Sequence, residues 1–254
     1  MATGGPRTPK FGRAARLAQG GRRLGEELTI RTMDGDFAAY LARPSAPKAP
    51  AIVVIQEIFG VNAVMRAIAD DFAAAGYLAI CPDLFWRIEP GVDITDQSDA
   101  EWKKAFELYN AFDVDLGVKD IAAALAHVRD DKGCTGKAGA VGFCLGGLLA
   151  FLTATRTDVD AAVGYYGVGI EKHLAEADQL SDPLMLHIAE EDQFVPKEAQ
   201  ALIVASLKNH PQVDIFTYPG RDHAFARKGG EHYNAADAEK ANARTLAFFK
   251  KNLG

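Results

Sequence analysis

The chain has 254 residues, 48% of them apolar and 24% charged, and a formal net charge of −6. That balance fits one large soluble α/β domain, and no apolar run approaches the roughly 18 residues needed to cross a bilayer. The charge is uneven: residues 1–25 hold six basic side chains and no acid, leaving 22 Lys+Arg against 34 Asp+Glu in the rest, and so acidic a body argues against nucleic acid as a partner.

Residues 1–25 therefore read as a basic arm, and 26–254 as a single domain. Arg22-Arg23 in the arm lacks a following apolar stretch, which sets twin-arginine export aside. Glu27–Thr32 alternates with period two, Asp34-Gly35 is a hairpin turn, and Phe37–Arg43 is the returning strand. A Pro-rich loop, 44–50, leads to Ala51–Ile55, apolar at every position, as in a strand buried on both faces. A helix is predicted from Asn62 to Ala75, closed by Gly76, then a strand over Tyr77–Cys81 stopped by Pro82-Asp83. Residues 82–97 read as a loop, and Ser98–Arg129 as helical with a break near Asp113–Asp115.

Ala138–Phe143 is the next strand, and Leu148–Ala154 belongs to a helix that follows closely. Strands are expected over Asp160–Tyr166, Pro183–Ala189 and Val213–Tyr218, and helices over Lys197–His210 and Tyr233–Lys251. Strands alternating with helices mean a mostly parallel sheet with helices on both faces and no large cap, and sites at the carboxyl ends of strands. Cys81, Cys134 and Cys144 give no even disulfide framework, which points to a reducing cytoplasm.

Between strand and helix lies Gly142-Phe143-Cys144-Leu145-Gly146-Gly147. A nucleophile elbow needs this strand-turn-helix context, with small residues two positions either side of the nucleophile. Alone, the motif also fits a buried cysteine in a glycine-rich turn. A nucleophilic thiol needs a base, and the base a carboxylate to orient it. Two later strand ends supply both: Glu190-Glu191-Asp192 after one, Asp222-His223 after the other. His223 is the candidate base, and spacing does not choose among the three acids. His127, His173, His187, His210 and His232 read as structural. Glu57, at the end of a fully apolar strand, is expected near the thiol, where its charge would keep the sulfur neutral at rest. The amides of Ile58 and Leu145 are the expected oxyanion donors.

From about 27 to 250 the chain resembles the dienelactone hydrolases (carboxymethylenebutenolidases), small α/β-hydrolases with a Cys-His-Asp triad. The resemblance rests on Gln56–Asn62, Cys81–Leu84, Gly142–Gly147, Val163–Gly169, Asp192–Pro196 and His223–Arg227, in that order. It implies Cys144 as nucleophile, His223 as base, Asp192 as orienter, and Glu57 as resting partner of the thiol. It implies Arg227 as the clamp on a substrate carboxylate, with Phe59, Trp102 and Phe106 as further substrate contacts. Trp102 stands where the family's well-known members carry a second arginine, Phe106 where they carry a tyrosine, and Ala224 where serine is common. A pocket so altered is expected to hold dianionic or compact ligands less well and larger, more apolar lactones better.

The implied activity is hydrolysis of a small enol-lactone such as dienelactone to maleylacetate through a cysteine acyl-enzyme. A broader esterase or thioesterase of the same fold is the alternative, and a non-catalytic interaction protein is disfavoured by the intact triad. The expected partner is a small lactone or ester, with no membrane or nucleic acid and no cofactor. No metal is expected, since the histidines and cysteines show no HxxxH or CxxC spacing. The chain is expected to be a monomer or weak dimer.

Overall fold

The computed structural model describes residues 25–254, and the basic arm lies, apart from Gly25, outside the described residues. In chain order these form β1 (Gly25–Thr32), β2 (Gly35–Ala42), β3 (Ala49–Ile55), α1 (Ala63–Ala74), β4 (Leu78–Pro82), α2 (Asp99–Ala111) and α3 (Val114–Arg129). There follow β5 (Cys134–Phe143), α4 (Leu145–Arg156), β6 (Ala161–Tyr165), β7 (Leu184–Ala189), α5 (Lys197–Leu207), β8 (Val213–Tyr218) and α6 (Ala235–Leu253). One eight-stranded sheet runs β1-β2-β4-β3-β5-β6-β7-β8. β1 pairs antiparallel with β2, and β2 antiparallel with β4. All pairs from β4 to β8 are parallel.

Differences from the sequence reading are local. β3 begins two residues early, because the Ala49 amide bonds the Gly133 carbonyl at 2.9 Å and draws the Ala-Pro pair into the sheet. Two short helical turns, Ile170–Lys172 and Leu174–Gln179, occupy a stretch left without structure. The break before α3 has a plain cause: Asp113 caps the new helix, its carboxylate accepting the Leu116 amide at 3.0 Å.

β5 shows how the layers are sorted. Its residues alternate across the sheet. A Cβ on Gly139 would meet the Phe249 ring of α6 at 2.8 Å, whereas one on Gly142 would meet the Gly146 carbonyl oxygen of α4 at 1.8 Å. So α6 covers one face and α4 the other. On the α6 side, Phe72 of α1 packs edge-on against Phe249, with ring centres 5.9 Å apart. Loops at the carboxyl edge are fastened by buried polar side chains. Gln56 Oε1 accepts the Leu84 amide at 3.0 Å. Asn62 caps α1, and its amide group reaches across to the Ile94 carbonyl at 2.9 Å.

The turn from β5 into α4 is the tightest point. Cys144 has φ 57° and ψ −116°. A Cβ on Gly146 would sit 2.5 Å from the Ile55 carbonyl oxygen at the end of β3, and one on Gly147 2.5 Å from the Tyr165 carbonyl oxygen of β6. These are backbone neighbours, which cannot swing aside. Gly142→Ala is accordingly expected to cost about 3 kcal/mol or more of stability, read as a lower urea midpoint at unchanged slope. A wild-type midpoint in that variant would contradict this packing.

Candidate active site

Four strand ends converge on one edge of the sheet: Glu57 follows β3, Cys144 follows β5, Asp192 follows β7 and His223 follows β8. Cys144 is 9% exposed and sits at the amino end of α4. The amides of Leu145, first residue of that helix, and of Ile58 donate to no protein acceptor among the described residues. Both are therefore free to bind a ligand oxygen.

Nδ1 of His223 lies 2.9 Å from Asp192 Oδ2 and 3.1 Å from Oδ1. A carboxylate only accepts, so Nδ1–H donates, and the other ring nitrogen is left for Cys144. Asp192 is positioned in turn by the Phe194 amide, which donates to its Oδ1 at 2.9 Å. Asp222 ties the two loops together, its Oδ1 accepting the amides of Gln193 at 3.0 Å and His223 at 2.6 Å. Burial works against a charge on the His223 ring. The negative charge of Cys144 and hydrogen bonds to Asp192 and Cys144 outweigh it, and the imidazole is raised to about 10. His223 thus holds its proton in the pocket that it lines together with Cys144.

Glu57 is paired with a guanidinium. It is 1% exposed, and its Oε2 accepts from Arg227 Nη1 at 3.1 Å, while no hydrogen bond to Cys144 is found among the described residues. The side chain expected beside the thiol thus has one oxygen paired with a guanidinium and the other without a protein partner. The second fork of Arg227 donates through Nη2 to Asp96 Oδ2 at 2.7 Å. Burial lowers the tendency of Arg227 to hold its proton, and the charges of Glu57 and Asp96 more than restore it. Near this cluster Glu57 Oε1, Tyr166 Oη and Arg227 Nε are buried without a protein partner. Burial and then the charge of Glu57 hold the Tyr166 phenol well above its ordinary value.

A pocket of about 90 Å³ opens beside the sulfur, lined by Ile58, Phe59, Trp102, Phe106, Tyr109, Cys144, Val168, Phe194, His223 and Arg227. Trp102, Phe106, Phe194, His223 and Arg227 also line an outer cavity of about 600 Å³. The aromatic wall is continuous: Phe59 meets Trp102 edge-on at 5.1 Å, and Trp102 stacks on Phe106 at 5.6 Å. All the residues singled out in the sequence thus lie in this region, with Glu57 behind Arg227 and Asp192 behind His223. Asp96, Tyr109, Tyr166 and Phe194 were missed. Phe194 lay in a quoted stretch next to Asp192, and Tyr166 in another. His232, read as structural, lines the outer cavity 3.7 Å from Asp222. His187 is structural: it bonds Tyr218 Oη at 2.8 Å and Thr245 Oγ1 at 3.0 Å, and burial pulls it down to about 3.

A family model described as "Dienelactone hydrolase family" matches residues 37–253. A carboxymethylenebutenolidase of Pseudomonas putida is 41% identical over 226 residues, covering 89% of this chain and 96% of its own length. Carboxymethylenebutenolidase 1 of Cupriavidus pinatubonensis is 36% identical over 222 residues, covering 87% and 94%. The crystal structure of a dienelactone hydrolase from Anabaena variabilis superposes with a TM-score of 0.65 at 16% identity, covering 91% of this chain and all of its own, a likeness of fold.

The charge on His223 carries a pH signature. Because its folded value lies above the ordinary 6.5, the stability it contributes is complete below 6.5 and is lost as pH rises through about 10. Its ring resonances in NMR should stay in the imidazolium range through neutral pH, and Cys144→Ser should move the midpoint downward. A wild-type midpoint near 6.5 would contradict that raised value.

Proposed function

Because the chain belongs to the dienelactone hydrolase family and is an ester or lactone hydrolase, we propose that it opens small enol-lactones of the dienelactone type through an acyl-enzyme on Cys144. The observation that carries this reading is that Cys144 and His223 line one pocket, with His223 bound to the buried Asp192 through Nδ1.

In the reaction proposed, Cys144 Sγ attacks the lactone carbonyl carbon. The carbonyl oxygen takes up negative charge and is met by the amides of Ile58 and Leu145. Each such donor is typically worth about 100–1,000-fold in rate. Collapse breaks the ring C–O bond and leaves a thioester, with the enolate still tethered to the acyl group. The enolate takes a proton from the His223 imidazolium and tautomerises to a ketone. An enolate is a good leaving group, so a thiolate suffices for this step. His223, now neutral, takes a proton from water as the water attacks the thioester, and the sulfur leaves as thiolate. Asp192 keeps Nδ1 protonated throughout, so that Nε2 faces the reaction. The end product is a keto acid, which is a keto diacid of the maleylacetate type where the lactone itself carries a carboxylate.

Cys144→Ala should lower kcat/KM on cis- or trans-dienelactone by at least about 10,000-fold, with the folded state retained in circular dichroism. Residual turnover within tenfold of wild type would remove Cys144 as nucleophile. Simple aryl esters assayed alongside should be turned over more slowly than the lactones. The reverse order would favour a general carboxylesterase.

A further inference from the structure

Arg227 lines the pocket beside Cys144, and both terminal nitrogens of its guanidinium already hold a carboxylate. Nη1 holds Glu57 and Nη2 holds Asp96. Two carboxylates on one guanidinium leave the cluster with excess negative charge. Asp96 is not a loose surface acid: its side chain is 12% exposed, and Gln97 donates to its other oxygen.

The segment that carries Asp96 is fastened at several points. Trp102 Nε1 donates to the Asp96 carbonyl at 3.0 Å. Glu101 accepts the Thr95 amide at 2.8 Å, the Thr95 hydroxyl at 2.9 Å and the Ser98 hydroxyl at 2.8 Å. The Ile94 amide donates to the Phe59 carbonyl at 3.2 Å. Trp102 therefore does two things at once. It supplies an apolar wall between Phe59 and Phe106, and its indole N–H holds the backbone that presents Asp96 to Arg227.

We propose that Asp96 occupies the position on Arg227 that a substrate carboxylate would take, and so makes this enzyme selective for lactones and esters whose acyl portion is uncharged. The inference rests on the hydrolase reading above and names the substrate class of that same site. An anionic acyl group entering the pocket meets Arg227 with both terminal nitrogens already bound to carboxylates and only the buried Nε unpartnered. It must displace Asp96 or sit against like charge, and either is costly where water is scarce. A neutral acyl group meets the aromatic wall of Trp102 and Phe106 and pays neither penalty. Asp96 here is a specificity-determining residue, acting on which substrate binds.

The test compares dienelactone, which is a carboxylate, with its primary carboxamide, which has the same shape and no charge. Wild-type enzyme should show the higher kcat/KM on the carboxamide. Asp96→Asn should raise kcat/KM on the carboxylate by at least about tenfold, chiefly through a lower KM, and change the carboxamide by less than about threefold. Wild-type preference for the carboxylate would overturn the proposal without any variant. So would an Asp96→Asn enzyme in which both substrates shift together or the carboxylate is turned over less well. Turnover of neither lactone by the wild type, with aryl acetates also untouched, would instead overturn the hydrolase reading and this inference with it.

Discussion

The candidate site hangs on a place where three backbones meet with no room for a side chain. The turn between β5 and α4 presses against the carboxyl end of β3 on one side and of β6 on the other, and only hydrogen fits at Gly142, Gly146 and Gly147. That closeness holds Cys144 at φ 57°, where a side chain is disfavoured by roughly 1–3 kcal/mol. The surrounding sheet supplies the restraint: Ile52, Val53, Val54 and Ile55 of β3 are wholly buried, as are Ala140 and Val141 of β5. The strain places the sulfur at the first turn of α4, beside an unpartnered helix amide. Position and electrostatics thus come from one packing constraint.

Two charged groups of opposite design flank that sulfur. His223 and Asp192 form the first, in which a buried carboxylate and the Cys144 charge together keep an imidazole protonated well above neutrality. Arg227, Glu57 and Asp96 form the second, in which one guanidinium balances two acids from distant parts of the chain. Removing one member of a buried pair typically costs about 3–5 kcal/mol because the other is left uncompensated. The second cluster is therefore as much a structural rivet as a part of the pocket. It binds the loop after β3, the loop before α2 and the loop after β8 into one floor. The orphaned oxygen of Glu57 and the Tyr166 hydroxyl mark the side of that floor where polar capacity is still unused.

Much of this was legible in the sequence, because each legible feature is local. The all-apolar run Ala51–Ile55 announces a strand buried on both faces, and glycines around Cys144 announce a sharp turn. Helix starts carried their own signals at Asn62, Ser98 and Asp113, each of which caps its helix through its side chain. What stayed hidden depends on contacts between remote residues. Arg227 bonds Glu57 across 170 positions and Asp96 across 131, and nothing in either neighbourhood announces the partner. Asp96 lies in the stretch read only as a loop, and the bonds that hold that stretch come from Glu101, Trp102 and the Phe59 carbonyl. Trp102 itself was noticed for the arginine it stands in for, whereas its effect is exerted through the backbone it holds. Glu57 was placed in the right region, and its ion pair with Arg227 was not foreseen, since a carboxylate at that strand end reaches a guanidinium as easily as a thiol.

In the proposed reaction the sulfur of Cys144 becomes covalently acylated in turnover. Rapid mixing with excess dienelactone, acid quenching within the first turnover, digestion and peptide mass analysis address it directly. The account predicts a transient gain of one whole lactone mass, since ring opening expels no fragment, confined to the peptide that carries Cys144. Product formed with no covalent species, or the same mass on another residue, would contradict it.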